Sequence, residues 1–192
     1  VTVLYESPYS RTLWIGQRQG VSYLTADGRG AHLDIKEGTL DMTGYFMVNH
    51  ITGDRRGNVW ISSASDGIVC ISENTMEVAH YPEPCVGATA CFVDSRDRVW
   101  AICTDGLFGY DQEKGRFEQV GIPLLARGKK ILAINEDRYG ALWLATEQAL
   151  VRVDSAGGVC SFTQADGVAC TSFLPNSTFC YGDSLYFGTA QG

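Results

Sequence analysis

Basic residues are scarce in this 192-residue chain: 15 Lys and Arg stand against 22 Asp and Glu, for a formal net charge of −7. A nucleic-acid surface needs a basic excess on one face to neutralise phosphates, and an anionic membrane surface asks for the same, so neither partner is expected. The densest basic pairs are Arg55-Arg56 and Lys129-Lys130, and the other basic residues are scattered. Long apolar runs are missing too, and none approaches the roughly 20 residues of a helical membrane span. Histidine is limited to His32, His50 and His80, none at metal-ligand spacing from a cysteine, and no C-x-x-C pair occurs. Zinc is therefore not expected. The sequence also lacks a G-x-S-x-G elbow, an H-E-x-x-H pair, a Gly-rich phosphate loop and a D-x-D-x-D-G calcium loop. The reading is a chain without catalytic residues, metal or cofactor.

What is present reads as β-structure. Hydrophobic residues make up 45% and charged residues only 19%, enough apolar surface for a core and too little charge for disorder. Nine Tyr, eight Phe, four Trp and 22 Gly set against three Met point to strands and tight turns. No segment sustains a 3.6-residue apolar period, and the best helical attempt, Pro123 to Asp137, is broken at Gly128-Lys-Lys. Seven Cys is an odd number; Cys70, Cys103 and Cys160 fall in apolar strand positions, and mostly buried thiols with at most one disulfide are expected. So many free thiols weigh against an oxidising compartment unless they are buried. Val1-Thr-Val-Leu-Tyr5 already reads as a strand, with no signal-peptide leader, and Leu185 to Gly192 ends where another strand would begin. Both ends are expected to be cut from a longer polypeptide.

One motif recurs. Thr12-Leu-Trp-Ile-Gly16, Asn58-Val-Trp-Ile-Ser62, Arg98-Val-Trp-Ala-Ile102 and Ala141-Leu-Trp-Leu-Ala145 are four copies, and Ser184-Leu-Tyr-Phe-Gly188 is a fifth with Tyr in place of Trp. The intervals between Trp14, Trp60, Trp100, Trp143 and Tyr186 are 46, 40, 43 and 43 residues. Turns precede the aromatic: Gly53-Asp-Arg-Arg-Gly57, Asp94-Ser-Arg-Asp97 and Asp137-Arg-Tyr-Gly140. Asp closes such turns on its own backbone and Gly supplies positive φ. Gly20, Gly67, Gly106 and Gly192 follow the aromatic by six or seven residues, with Ala149 in the fourth copy. Four short strands every forty-odd residues is the pattern of propeller blades. The fold class expected is all-β, a partial β-propeller of about four to five blades in a single domain over 1–192. Its blade motifs lie around 12–24, 58–81, 98–120, 141–162 and 184–192. The five aromatics then fill the wedges between sheets rather than stack on a ligand.

The segments Gly57-Asn-Val-Trp-Ile through Asp66-Gly-Ile and Arg98-Val-Trp-Ala-Ile through Asp111 resemble the two-component regulator propeller repeat, D-x-x-G-x-L-W-[IL]-x-T-x-x-G-L-x-x-Y-D. Asp166 to Phe173 with Gly182 to Gly188 resembles the closing repeat of the second propeller in hybrid two-component sensor kinases, notably of Bacteroidetes. The resemblance covers nearly the whole chain. It implies a periplasmic sensor region, a parent histidine kinase and responses to oligosaccharides released from glycans.

Ligand contacts are expected on loops, because repeat positions are committed to packing. The turns between second and third strands offer Arg18, Asp66, Glu147 and Gln148 as candidates; the longest and most irregular connection, Leu24 to Val48, includes Tyr45 and Phe46. Turn carboxylates such as Asp54, Asp94, Asp97, Glu136 and Asp137 are read as turn formers, not as calcium ligands or a glycosidase pair. Expected partners are an oligosaccharide, other domains of the same sensor, and a second copy meeting bare blade edges. Rival readings are a protein-interaction scaffold and a propeller polysaccharide lyase or glycosidase.

Overall fold

A computed structural model describes residues 1–33, 46–122, 130–169 and 172–191. Tyr45, Gly128, Lys129 and Gly192, named above, lie outside the described residues, as does Cys170, one of the seven cysteines. The first sheet is β1 (Val3–Glu6), β2 (Leu13–Gly16), β3 (Val21–Leu24) and β4 (Gly30–Leu33). The second is β5 (Val48–Gly53), β6 (Asn58–Ser63), β7 (Gly67–Ser72) and β8 (Val78–Tyr81). The third is β9 (Ala90–Val93), β10 (Val99–Cys103), β11 (Gly106–Asp111) and β12 (Arg116–Gln119). The fourth is β13 (Ile131–Glu136), β14 (Leu142–Thr146), β15 (Leu150–Val153) and β16 (Val159–Phe162). A two-stranded sheet, β17 (Phe173–Tyr181) with β18 (Ser184–Thr189), follows.

Each four-stranded sheet is an antiparallel meander in chain order, and the first strands of successive sheets pack side by side, β1 on β5, β5 on β9, β9 on β13 and β13 on β17. This is a partial β-propeller with its first strands innermost. β4 went unrecognised in the sequence because Gly30-Ala-His-Leu33 carries no apolar alternation, being almost wholly exposed. Within the segment considered above as a helix, Ile131–Glu136 is strand β13.

The core lies in the wedges between sheets. Val59, Ile61, Val69 and Ile71 pack with Trp14, Val21 and Val48 between the first and second sheets. Trp60 packs with Phe108, Phe117 and Tyr110 of the third sheet. Its ring meets Tyr110 at 4.9 Å and Phe117 edge-on at 6.0 Å. Leu144, Val151 and Ile134 meet Ile102 and Leu107 in the next wedge. Such large faces supply most of the stabilisation, at about 25 cal/mol per Å2 of apolar area buried.

The turn aspartates do more than form turns. Asp54 Oδ1 accepts the backbone N–H groups of Arg56 and Asn58, both at 3.0 Å, and its Oδ2 accepts Trp60 Nε1 at 3.1 Å. Asp94 holds Arg96, Arg98 and Trp100 in the same way, and Asp137 holds Tyr139, Ala141 and Trp143. One carboxylate thus fixes both the turn and the wedge aromatic six residues on. In the first sheet Ser7 takes over the turn, and Glu73 of the second sheet supplies the carboxylate for Trp14 Nε1 at 2.7 Å. At Asp97, φ is 62°, a conformation that Gly57 and Gly140 occupy in the sister turns. Asp tolerates it better than most residues, and here its carboxylate accepts the Arg55 N–H of the neighbouring sheet at 2.9 Å.

The cysteine expectation needs one correction. Cys70, Cys85, Cys91 and Cys103 are buried thiols, but Cys160 is exposed, as is Cys180. Cys160 lies on β16, the outermost strand of its sheet, whose Cys160 and Ser161 positions are both exposed.

Candidate ligand-binding surfaces

The two ends of the sheets differ in chemistry. At one end the turns between first and second strands clasp their neighbours. Arg55 Nη2 donates to the Ser95 carbonyl at 3.0 Å, Ser95 donates through N and Oγ to Glu136, and Arg138 pairs with Asp183. Ser7, Ser10 and Tyr9 bridge likewise to Glu73 and Asn74. The opposite end carries the turns between second and third strands together with the connections between sheets. Gly20 N–H donates to the Phe46 carbonyl, Val48 N–H to Gln17, and Thr104 N–H to Val86.

At this second end an open hollow of about 990 Å3 is lined by Val1, Thr2, Gln17, Arg18, Gln19 and Met47. The β2–β3 turn positions three of these side chains, with Gly20 at φ 94° reversing the strand. Gln17 Nε2 donates to Ser22 Oγ at 3.1 Å, and that hydroxyl lies 3.0 Å from His32 Nδ1. Gln17 is therefore held in place while Arg18 and Gln19 are exposed.

Of the sequence candidates, Arg18 lines the hollow. Glu147 and Gln148 are exposed on the β14–β15 turn, and neither is among its lining residues. That turn dispenses with the repeat glycine because Thr146 Oγ1 donates to the Ala149 carbonyl at 2.8 Å and receives the Ala149 N–H at 3.1 Å. Asp66 is placed otherwise than a ligand contact requires. It is 3% exposed and accepts hydrogen bonds from Ser63 and Ser65, so its carboxylate closes the β6–β7 turn. Phe46 is buried in the wedge between the first two sheets.

A second concavity follows the axis. His50, Cys91, Phe92, Asn135, Asn176 and Thr178, with Ala90 and Ile134, line a cleft of about 130 Å3 formed by the innermost strands. Asn135 donates to Thr178 Oγ1, and Asn176 Nδ2 reaches the Thr89 carbonyl at 2.9 Å. Burial lowers the His50 pKa below its ordinary 6.5, against a smaller upward pull from hydrogen bonding to the Cys91 backbone, so the ring is neutral near pH 7. Sequence reasoning passed over these residues. The available signal was a polar side chain recurring in first strands that otherwise read as apolar, at His50 and Asn135.

A third cleft, about 400 Å3, opens between the fourth and fifth sheets and includes Tyr139, Trp143, Leu185 and Phe187. Here Trp143 stacks on Phe162 of its own sheet at 5.5 Å. Among the described residues no group of three or more His, Cys, Asp or Glu is arranged to hold a metal ion. No helix among them is long and apolar enough to cross a membrane.

Comparison with protein-family models gives no match, and comparison with curated proteins gives none either. Solved structures do match. The extracellular domain of BT3049, assigned to a hybrid two-component system of B. thetaiotaomicron, superposes with a TM-score of 0.74 at 20% identity over 97% of this chain and 26% of its own. That of BT4673 from the same organism gives 0.71 at 17% over 96% and 26%. Virginiamycin B lyase of Staphylococcus aureus, in complex with quinupristin, gives 0.69 at 18% over 96% and 61%. The chain thus spans about a quarter of the two-component extracellular domains and three fifths of the lyase. At identities this low the likeness establishes fold alone: the chain is a partial β-propeller, built like a quarter of a two-component extracellular domain.

Proposed function

We propose that this chain is a ligand-sensing or signal-transmitting segment of an extracytoplasmic sensor propeller, part of a hybrid two-component histidine kinase, and that its ligand is an oligosaccharide. The observation that carries the reading is the Arg18 hollow, open on the turn face, in a fold similar over 97% of its length to a two-component extracellular domain. Gln17, Arg18 and Gln19 offer amide and guanidinium donors to sugar hydroxyls, while Val1 and Met47 offer apolar area to the C–H face of a sugar ring. Signalling would follow from a change in how sensor chains pack, limited by the ligand's differential affinity for the two arrangements. Both ends of the arc offer surface for such packing: Val1 and Leu4 are 84% and 60% exposed, and Phe179 and Tyr181 are 63% and 73%.

The test is thermal shift of the chain against a panel of oligosaccharides, beside its mass in solution. A bound ligand raises Tm by an amount set by its concentration relative to Kd. A rise with one oligosaccharide that vanishes in Arg18→Ala, with an unchanged unliganded Tm, supports sensing through the hollow. No rise with a dimeric mass favours a scaffold role. The likeness to virginiamycin B lyase supports a second reading as a propeller enzyme, which turnover of a polysaccharide or of quinupristin by the purified chain would favour.

A further inference from the structure

Four of the described thiols, Cys70, Cys85, Cys91 and Cys103, share the wedge between the second and third sheets. Three of them sit on strands, β7, β9 and β10. Cys85 does not. It lies in the connection from β8 to β9, where Pro82, Glu83, Pro84 and Val86 are exposed while Cys85 itself is 0% exposed. A turn at Val86–Gly87, with Gly87 at φ 67°, folds the connection back onto the end of β10. Thr104 N–H donates to the Val86 carbonyl at 3.2 Å, and Thr89 N–H to the Ile102 carbonyl at 2.8 Å, so backbone bonds flank Cys103 on both sides. Gly87 is packed so closely on Thr104 that a Cβ there would overlap the Thr104 side chain. Both thiols are buried in this wedge, on the two segments that these backbone bonds hold together.

The geometry points to Cys85 and Cys103 as a disulfide pair, a cross-link that straps the β8–β9 connection onto the β10–β11 turn. Two S–H bonds break and one S–S bond forms; the two protons and two electrons pass to a thiol–disulfide oxidant, whose own disulfide is reduced to two thiols. Timing follows from burial. Cys85 and Cys103 are 0% and 6% exposed in the folded chain, so neither thiol meets an oxidant there. The bond therefore forms while the chain folds, before the wedge closes, and once enclosed it resists reduction. A strap of this kind suits the oxidising compartment of the proposed function, although its formation is a property of the chain itself.

The experiment is refolding of the chain with a mixture of reduced and oxidised glutathione, then alkylation under denaturing, non-reducing conditions and peptide mapping. The expected result is one linked peptide pair containing Cys85 and Cys103, with the other thiols alkylated. A Tm higher by roughly 5–10 °C than that of the reduced chain should accompany it. Cys85→Ser should abolish both the linked pair and the redox dependence of Tm. Recovery of both cysteines alkylated, or of either linked to a different cysteine, overturns the proposal. The outcome is independent of oligosaccharide binding, so a failure of the sensor reading and a failure of the strap remain separable.

Discussion

The second sheet and the fifth are built from the same repeat, yet they are held very differently. In the second, Trp60 is 2% exposed, enclosed by Tyr81, Tyr110 and Phe117, and tied through Nε1 to Asp54, itself 3% exposed. In the fifth, the equivalent Tyr186 is 55% exposed. Its position six residues upstream holds Cys180 rather than Asp, and tyrosine has no indole N–H to offer. β18 has one hydrogen-bonded neighbour where β6 has two. A motif aromatic is therefore a core residue only where a following sheet and a turn carboxylate enclose it. Identical sequence positions acquire different energetic weight from their neighbours.

The sharpest way to break this comparison is to truncate both aromatics. Trp60→Ala should cost about 3–5 kcal/mol, by analogy with other large-to-small core changes, whereas Tyr186→Ala should cost less than about 1. Denaturant titration of the two variants reads the difference, and equal losses would remove the distinction. Next come the carboxylates. Asp54→Ala strands the buried Trp60 Nε1 and two backbone N–H groups of a part-buried turn, at a cost of about 2–3 kcal/mol. Asp183→Ala removes only an exposed ion pair with Arg138 and should stay within about 0.5 kcal/mol.

Between these extremes lies the first sheet, whose Trp14 depends on a borrowed carboxylate. Glu73→Ala should cost about 1–2 kcal/mol and loosen the first sheet ahead of the second, visible as faster amide exchange in β1 to β3. A smaller effect is expected from pH. His50 has a folded pKa depressed by burial, so the unfolded chain binds the proton more readily and stability falls as pH drops below about 6.5. That loss comes above the acid range in which Asp137 titrates. Burial alone would raise the Asp137 pKa, but donors from Trp143, Ala141 and Tyr139 together with Arg152 outweigh it and hold it low. His50→Asn should flatten the step between pH 7 and 5 in a Tm profile and leave the acid loss in place. Least of all, Arg18→Ala, Glu147→Ala and Gln148→Ala should each change stability by no more than about 0.5 kcal/mol, since all three side chains are exposed.

Much of the architecture could be read without coordinates. The interval from Trp14 to Tyr186, the D-x-x-G turns and the repeated glycines point to meandering sheets because strand pairing and turn closure are local events governed by residues a few positions apart. The strand that escaped notice, β4, is nearly all exposed, and burial is what writes the apolar alternation that sequence reading depends on. The candidate site was less legible. Arg18 and Asp66 occupy equivalent turns, but only a three-dimensional arrangement tells that one faces a hollow and the other is closed over by two serines.

By itself, then, the sequence determined the repeat, the all-β class, the aromatic wedges and the net acidic charge, since each depends on residue type and short spacing. Only the tertiary structure decided that Asp54, Asp94 and Asp137 anchor the indoles, and that Glu73 serves Trp14 across a wedge. It alone gathered His50, Asn135 and Asn176 around one cleft and folded the Cys85 connection onto the end of β10 beside Cys103. Those outcomes depend on contacts between residues distant along the chain, and such contacts are set by how twisted sheets stack side by side, which no single repeat encodes.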